Sequence, residues 1–190
     1  MLSSIVLIES GESQYELNVL TNSLDITSKQ HKSYYSYDNK DGFRDIIQFV
    51  MDNFLDLIPL EVIKRIGLRY IDEAPIPSLK TEEFEKWYNT TFPLSRFKLN
   101  EIGTMVFQAL HVKRNNYEFN YRETLQHEEE EKTEEKVLKY YLDFDGYAVN
   151  VPKVDYLKVL DALHNLIHNE WSKNTIKDPV KEWMDTIEEE

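Results

Sequence analysis

The chain has no cysteine, only five glycines and six prolines among 190 residues, and no long apolar run. Without cysteine there is no disulfide, no thiolate metal site and no thiol nucleophile. None of the five glycines builds a phosphate-cradling loop, and no G-x-S-x-G elbow presents a serine. The one apolar patch near the start, Ile5-Val6-Leu7-Ile8, is far too short to span a bilayer and has no basic region before it. It reads as a strand, and the chain as a cytoplasmic protein with no membrane contact. Positive charge is also scarce: 22 Lys and Arg stand against 35 Asp and Glu, a formal charge of −13. A surface of that sign repels polyphosphates, so direct nucleic-acid binding is disfavoured. Two small basic groups, Lys113-Arg114 with Arg122 and Lys98 with Arg96, read as solvated faces.

Aromatic residues are plentiful, 13% of the chain with twelve tyrosines, a composition that suits half-buried strands. The stretch Arg65-Ile66-Gly67-Leu68-Arg69-Tyr70-Ile71-Asp72-Glu73 alternates like a strand and would put Ile66, Leu68 and Tyr70 on one face. Arg69 then lies on the other face. A guanidinium in mid-sheet needs a carboxylate, because an unpaired buried charge is very costly. In Lys139 to Tyr147 the residues Tyr140, Leu142 and Phe144 share one face, and Tyr141, Asp143 and Asp145 the other. The two segments are expected to lie in one sheet, with Arg69 paired to Asp143 or Asp145.

The R-I-G-L-R-Y-I-D run, the later L-D-F-D and the helical segment Leu163-His164-Asn165-Leu166-Ile167 followed by Glu170-Trp171 resemble a sporadically distributed prokaryotic family of conserved hypothetical proteins with an R-I-G-L-R-Y-I-N motif. The similarity runs from about residue 15 onward. Asp72 stands where that family commonly has Asn, and its usual N-terminal strand with a Pro-Pro-Ile is not found, as expected of a chain that begins late or of a shortened relative. The resemblance implies an α+β fold and no particular activity.

In chain order, Ile5 to Glu9 and Tyr15 to Leu20 read as a hairpin around Ser10 to Ser13, with Leu24 to Thr27 as a further strand after the turn Thr21 to Ser23. A first helix is expected from Phe43 to Leu57, capped by Asp38 or Asp41 and stopped by Pro59. A helical turn at Leu60 to Lys64 leads into the central strand. Thr81 to Tyr88 reads as a short helix capped by Thr81 or Ser78. Gly103 to Val112 and Tyr117 to Leu125 form a hairpin around Lys113 to Asn116. His127 to Lys136 is too charged to pack and reads as a loop, and Val137 to Val149 returns as a strand. The longest helix spans Val154 to Ser172, with Leu157, Leu160, His164, Ile167 and Trp171 along its stripe. Asp178-Pro179 opens a last helix. The composite is one α+β domain with a curved, largely antiparallel sheet, two long amphipathic helices packed on it, and two similar halves sharing that sheet.

His164 and His168 are spaced to share a metal on one helical face, with His111, Asp143 or Asp145 as further ligands. Asn165 stands where a zinc-protease motif needs Glu, and a core histidine explains His164 as well. Asp143 and Asp145, with Asp72 or Glu73 across the sheet, could equally form a carboxylate cluster or a solvated face. The leading expectation is a non-catalytic binding or partner-recognition module with no cofactor. A homodimer is also compatible, since an uncovered sheet edge needs protection. A metal-dependent enzyme using the Asp and His groups competes with it. So does a small-ligand pocket lined by Tyr70, Tyr121, Tyr140 and Trp171.

Overall fold

The computed structural model describes residues 15–28, 33–37, 40–129 and 136–188. The anticipated strand at Ile5 to Glu9, its turn at Ser10 to Ser13, the cap Asp38 and the Glu-rich residues 130–135 lie outside them. Length suggests one domain; the contacts divide the chain into two compact units, with the boundary between Glu61 and Val62.

In the first unit β1 (Tyr15–Val19) and β2 (Leu24–Ser28) pair antiparallel, Val19 opposite Leu24, around a turn closed by Leu20 N–H donating to Ser23 O at 2.9 Å. Helix α1 (Phe43–Leu57) begins at Gly42, whose N–H donates to the Asp45 carboxylate at 2.9 Å. The cap is therefore supplied from inside the first turn and not by Asp41. Gly42 is required by close approach, because a Cβ there would lie 2.3 Å from the Tyr35 carbonyl carbon.

The second unit holds a four-stranded antiparallel sheet in the order β3-β6-β5-β4, open and not closed into a barrel. Its strands are β3 (Val62–Ala74), β4 (Met105–Arg114), β5 (Tyr117–Glu129) and β6 (Lys136–Pro152). The fold is α+β. Three expectations are corrected here. The chain is already extended at Val62, where a helical turn was expected, because Val62 and Ile63 pair with Pro152 and Val151. His127 to Glu129 continue β5, because cross-strand partners in β6 hold this charged end in the ladder. Nor do the halves share a sheet: β1 and β2 form their own. Asn115, at φ 55°, makes the tight β4–β5 turn, since Asn tolerates the left-handed region better than most residues.

Alternation gives the sheet two distinct faces. The inner face carries Phe119, Tyr121, Leu125, Leu138, Tyr140, Leu142 and Phe144, all buried. Helix α3 (Tyr156–Asn169) lies on this face over β6 and β3. It approaches closely at Gly146, where a Cβ would stand 3.3 Å from Leu163 Cδ2 and 3.6 Å from Ile167 Cδ1. The buried stripe is Tyr156, Leu160, Leu163 and Ile167, rotated from the expected one so that His164 falls at its margin. Of the two long helices expected on the sheet, α3 is there and α1 belongs to the other unit.

Helix α2 (Thr81–Trp87) buries Phe84 against Tyr88 and Tyr140, with ring centroids 4.9 and 5.0 Å away. Its first turn is preceded by Ser78, whose hydroxyl accepts from Lys80 N–H at 3.1 Å. After α3 the chain runs through a π-helical segment, Glu170–Thr175, into α4 (Asp178–Glu188). No helix among the described residues is long and apolar enough to cross a membrane.

Candidate functional site

On the outer face of the sheet, Arg69 binds Asp143 with two parallel bonds, Nε to Oδ1 at 2.8 Å and Nη2 to Oδ2 at 2.7 Å. The register explains the diagonal reach: Arg69 lies opposite Asp145, while Asp143 lies opposite Ile71 and Arg122. Arg122 adds Nη1 to Asp143 Oδ2 at 2.9 Å and approaches Asp145 at 3.7 Å. Asp145 also accepts from Asn120 Nδ2 at 3.0 Å and faces Arg65 at 3.6 Å. Arg65 in turn covers the Tyr147 ring at 4.4 Å. Nearer the other end of these strands Lys139 reaches Glu73 at 3.0 Å, and Tyr141 donates to Glu128 at 3.0 Å.

Burial alone would raise the Asp143 carboxyl, but the bonds and charges of Arg69 and Arg122 outweigh it and hold the value below the usual one. Each Asp143 oxygen already accepts a charge-assisted bond, so this carboxylate is committed to clamping β3, β6 and β5. Asp143→Asn should cost about 2 kcal/mol in urea unfolding, the scale of bonds to charged groups, reduced because Arg69 is about half exposed and can return to water. Since the carboxyl is depressed in the fold, its contribution is present above the unfolded value of 3.8 and fades as pH falls through the folded one.

His164 and His168 stack on α3 with centroids 5.9 Å apart, and His164 Nδ1 lies 3.0 Å from the Tyr70 hydroxyl. This places them on the inner face, with the sheet between them and Asp143 or Asp145. Asn120 and His111 share the outer face, joined at 2.8 Å. The anticipated metal set is thus split across the sheet. Among the described residues no group of three or more such side chains is placed to hold a metal ion. Desolvation first, then repulsion from His168, pushes the His164 imidazole down to about 4 from 6.5. The unfolded chain therefore takes up a proton before the folded one does. The stability this neutral ring contributes is complete above pH 6.5 and is lost as pH falls toward 4, on the order of 2 kcal/mol after allowance for partial exposure. Unfolding of His164→Gln across that range should show a correspondingly shallower pH dependence than the parent.

The four pocket candidates separate in the same way. Tyr121 and Tyr140 are core residues on the inner face, beside a fully buried carboxylate, Glu123. That carboxylate accepts from Thr90 Oγ1 at 2.5 Å, Thr91 N–H at 2.9 Å and Tyr121 Oη at 2.6 Å. Burial, with the Glu123 charge second, pushes both phenols well above their usual value. Tyr70 is engaged with His164. Trp171 is the one of the four that lines the cavity at the C-terminal end of β3.

That cavity has a volume of about 260 Å³. Ile71 to Pro75 line it from β3 and its exit, together with Tyr88, Leu142, Trp171, Ile176, Val180, Trp183 and Met184. Its walls are fixed by a short bridge between Tyr88 and Ile176, flanked by Asn89 N–H to Thr175 O at 2.8 Å and Lys177 N–H to Trp87 O at 2.9 Å. The Tyr88 hydroxyl donates to Pro75 O at 2.7 Å. Trp87 packs on Trp183 with centroids 6.5 Å apart, joining α2 to α4. Asp72, exposed as a residue, still has its carboxyl raised above the usual value, because the neighbouring side chains strip water from it.

The sequence reading places Tyr88 at the end of a short helix and passes over Val180, Trp183 and Met184. Their i, i+3, i+4 spacing after the Asp-Pro helix start was the available signal.

No protein-family model, curated protein or solved structure matches the chain.

Proposed function

We propose that this chain is a binding protein without chemistry of its own, and that the cavity at the end of β3 is its ligand site. The observation that carries this reading is the contrast between two polar sets. On the outer face, Asp143 and Asp145 are engaged by guanidinium and amide groups of the same sheet. In the cavity, three aromatic and seven aliphatic or thioether residues stand beside two acidic ones, of which Glu73 is paired with Lys139 and Asp72 has, among the described residues, no hydrogen-bond or ion-pair partner. A concave, mostly apolar site with few polar groups is the usual form of a small-molecule site. The volume suits a ligand smaller than a drug.

The test is a thermal-unfolding screen of the dialysed protein against pools of small metabolites. A ligand at a hundred times its Kd adds about 2.7 kcal/mol, which is easily seen. Ala74→Phe, which fills the cavity, should abolish the response while the protein keeps its circular dichroism. Stabilisation that survives Ala74→Phe, or no response to any pool, would argue against the cavity as the site.

A further inference from the structure

The charge balance of the cavity narrows its ligand. No Lys, Arg or His is among the residues that line it. Of its two acidic residues, Glu73 has its carboxylate drawn to Lys139 on the outer face, and Asp72 alone supplies charge to the inside. An anion would be repelled. A neutral hydrocarbon would leave a carboxylate against an apolar surface with nothing to compensate it. A divalent metal ion needs about six oxygen ligands, and one carboxylate among aromatic rings does not provide them.

We propose that the cavity binds a small, free, methylated ammonium ion, with Asp72 as its counter-charge and Tyr88, Trp171 and Trp183 as its walls. This rests on the reading of the cavity as the ligand site. The negative faces of Trp and Tyr rings attract a cation within about 6 Å, most strongly where water is excluded. Methylation follows from donor accounting. A primary ammonium brings three N–H donors, and a single carboxylate beside apolar walls would leave some of them unbonded. A trimethylammonium group has none to satisfy and presents methyls to the aliphatic wall of Ile176, Val180 and Met184. The desolvation that raises the Asp72 carboxyl is offset when a fixed positive charge sits beside it.

The three tryptophans of the chain are Trp87, Trp171 and Trp183. Two line the cavity and the third packs against one of them with the rings tilted, so intrinsic fluorescence reports its occupancy. The full chain should be titrated with (2-hydroxyethyl)trimethylammonium chloride and with its uncharged carbon isostere, 3,3-dimethylbutan-1-ol, with sodium chloride matching ionic strength. The cation should bind at least tenfold more tightly than the isostere. Asp72→Asn should weaken the cation at least tenfold, leave the isostere unchanged and not lower the melting temperature. Trp183→Leu provides a second variant that should weaken the cation more than the isostere. Equal binding of the two probes, indifferent to Asp72→Asn, overturns the cation assignment and leaves the cavity as a binding site. Binding of neither overturns the cation assignment too, and the metabolite screen with Ala74→Phe then decides the broader reading separately.

Discussion

Glu123→Ala should destabilise the unit that begins at Val62 by about 3–5 kcal/mol, the scale of leaving several buried donors unsatisfied at once. The side chain is 0% exposed and projects from β5 into the inner-face core. Its two oxygens take the Thr91 N–H and the hydroxyls of Thr90 and Tyr121. Removing them leaves three buried donors without an acceptor, each costing about 1–3 kcal/mol less whatever local rearrangement recovers. Tyr140 Oη, also buried, lies near the same carboxylate outside good hydrogen-bond geometry, so the donors gathered around Glu123 are already in excess. Glu123→Gln keeps the shape and one oxygen, and should lose only about 1–2 kcal/mol. Denaturant unfolding followed by circular dichroism measures both, with an unchanged slope if the folded state is intact. A Glu123→Ala loss below that of Glu123→Gln would contradict the acceptor role.

Phe84→Ala should cost a similar 3–5 kcal/mol, the usual range for emptying a buried phenylalanine site. Phe84 is 0% exposed and is the contact by which α2 meets the sheet, through Tyr140 at 5.0 Å and Tyr88 at 4.9 Å. The consequence extends to the cavity, because Tyr88 lines it and is held by the same cluster. Affinity for any cavity ligand should therefore fall in Phe84→Ala even at temperatures where the variant is folded. Phe84→Leu, which retains most of the volume, should recover much of both losses. Equal stability of Phe84→Ala and the parent would remove α2 from the account of how the cavity is held.

Much of the fold is written in period-two and helical patterns. The alternation of Tyr140, Leu142 and Phe144 with Tyr141, Asp143 and Asp145 states the two faces of β6 outright. With Arg69 on the matching face of β3, charge complementarity also points to the pairing that forms at 2.8 and 2.7 Å. The same parity, carried two residues past Tyr121, places Glu123 in the core, where a charged residue is seldom found. Val62 to Lys64 were misread because local pattern carries no information about Pro152 and Val151, the partners that extend them. The cavity was not legible. It is assembled from the end of β3, the residue after α2, the π-helical segment and α4, which are distant in sequence and brought together by the Tyr88–Ile176 bridge. A π-helical segment has no short-range signature in Glu170 to Thr175 that distinguishes it from continued α-helix. Hence Trp171 reads both as a stripe residue of α3 and as a pocket candidate, while the other three candidates, Tyr70, Tyr121 and Tyr140, are not among the residues that line this cavity.

The most direct test of the central claim is a ¹H–¹⁵N correlation spectrum of the labelled protein with and without the best ligand from the metabolite screen. If the cavity is the site, the indole N–H signals of Trp171 and Trp183 and the amides of Asp72 and Ile176 move on saturation, while those of Asn120, Arg122 and Asp145 stay in place. Movement concentrated around Arg122, Asp143 and Asp145 would contradict the account and transfer the binding function to the outer face of the sheet.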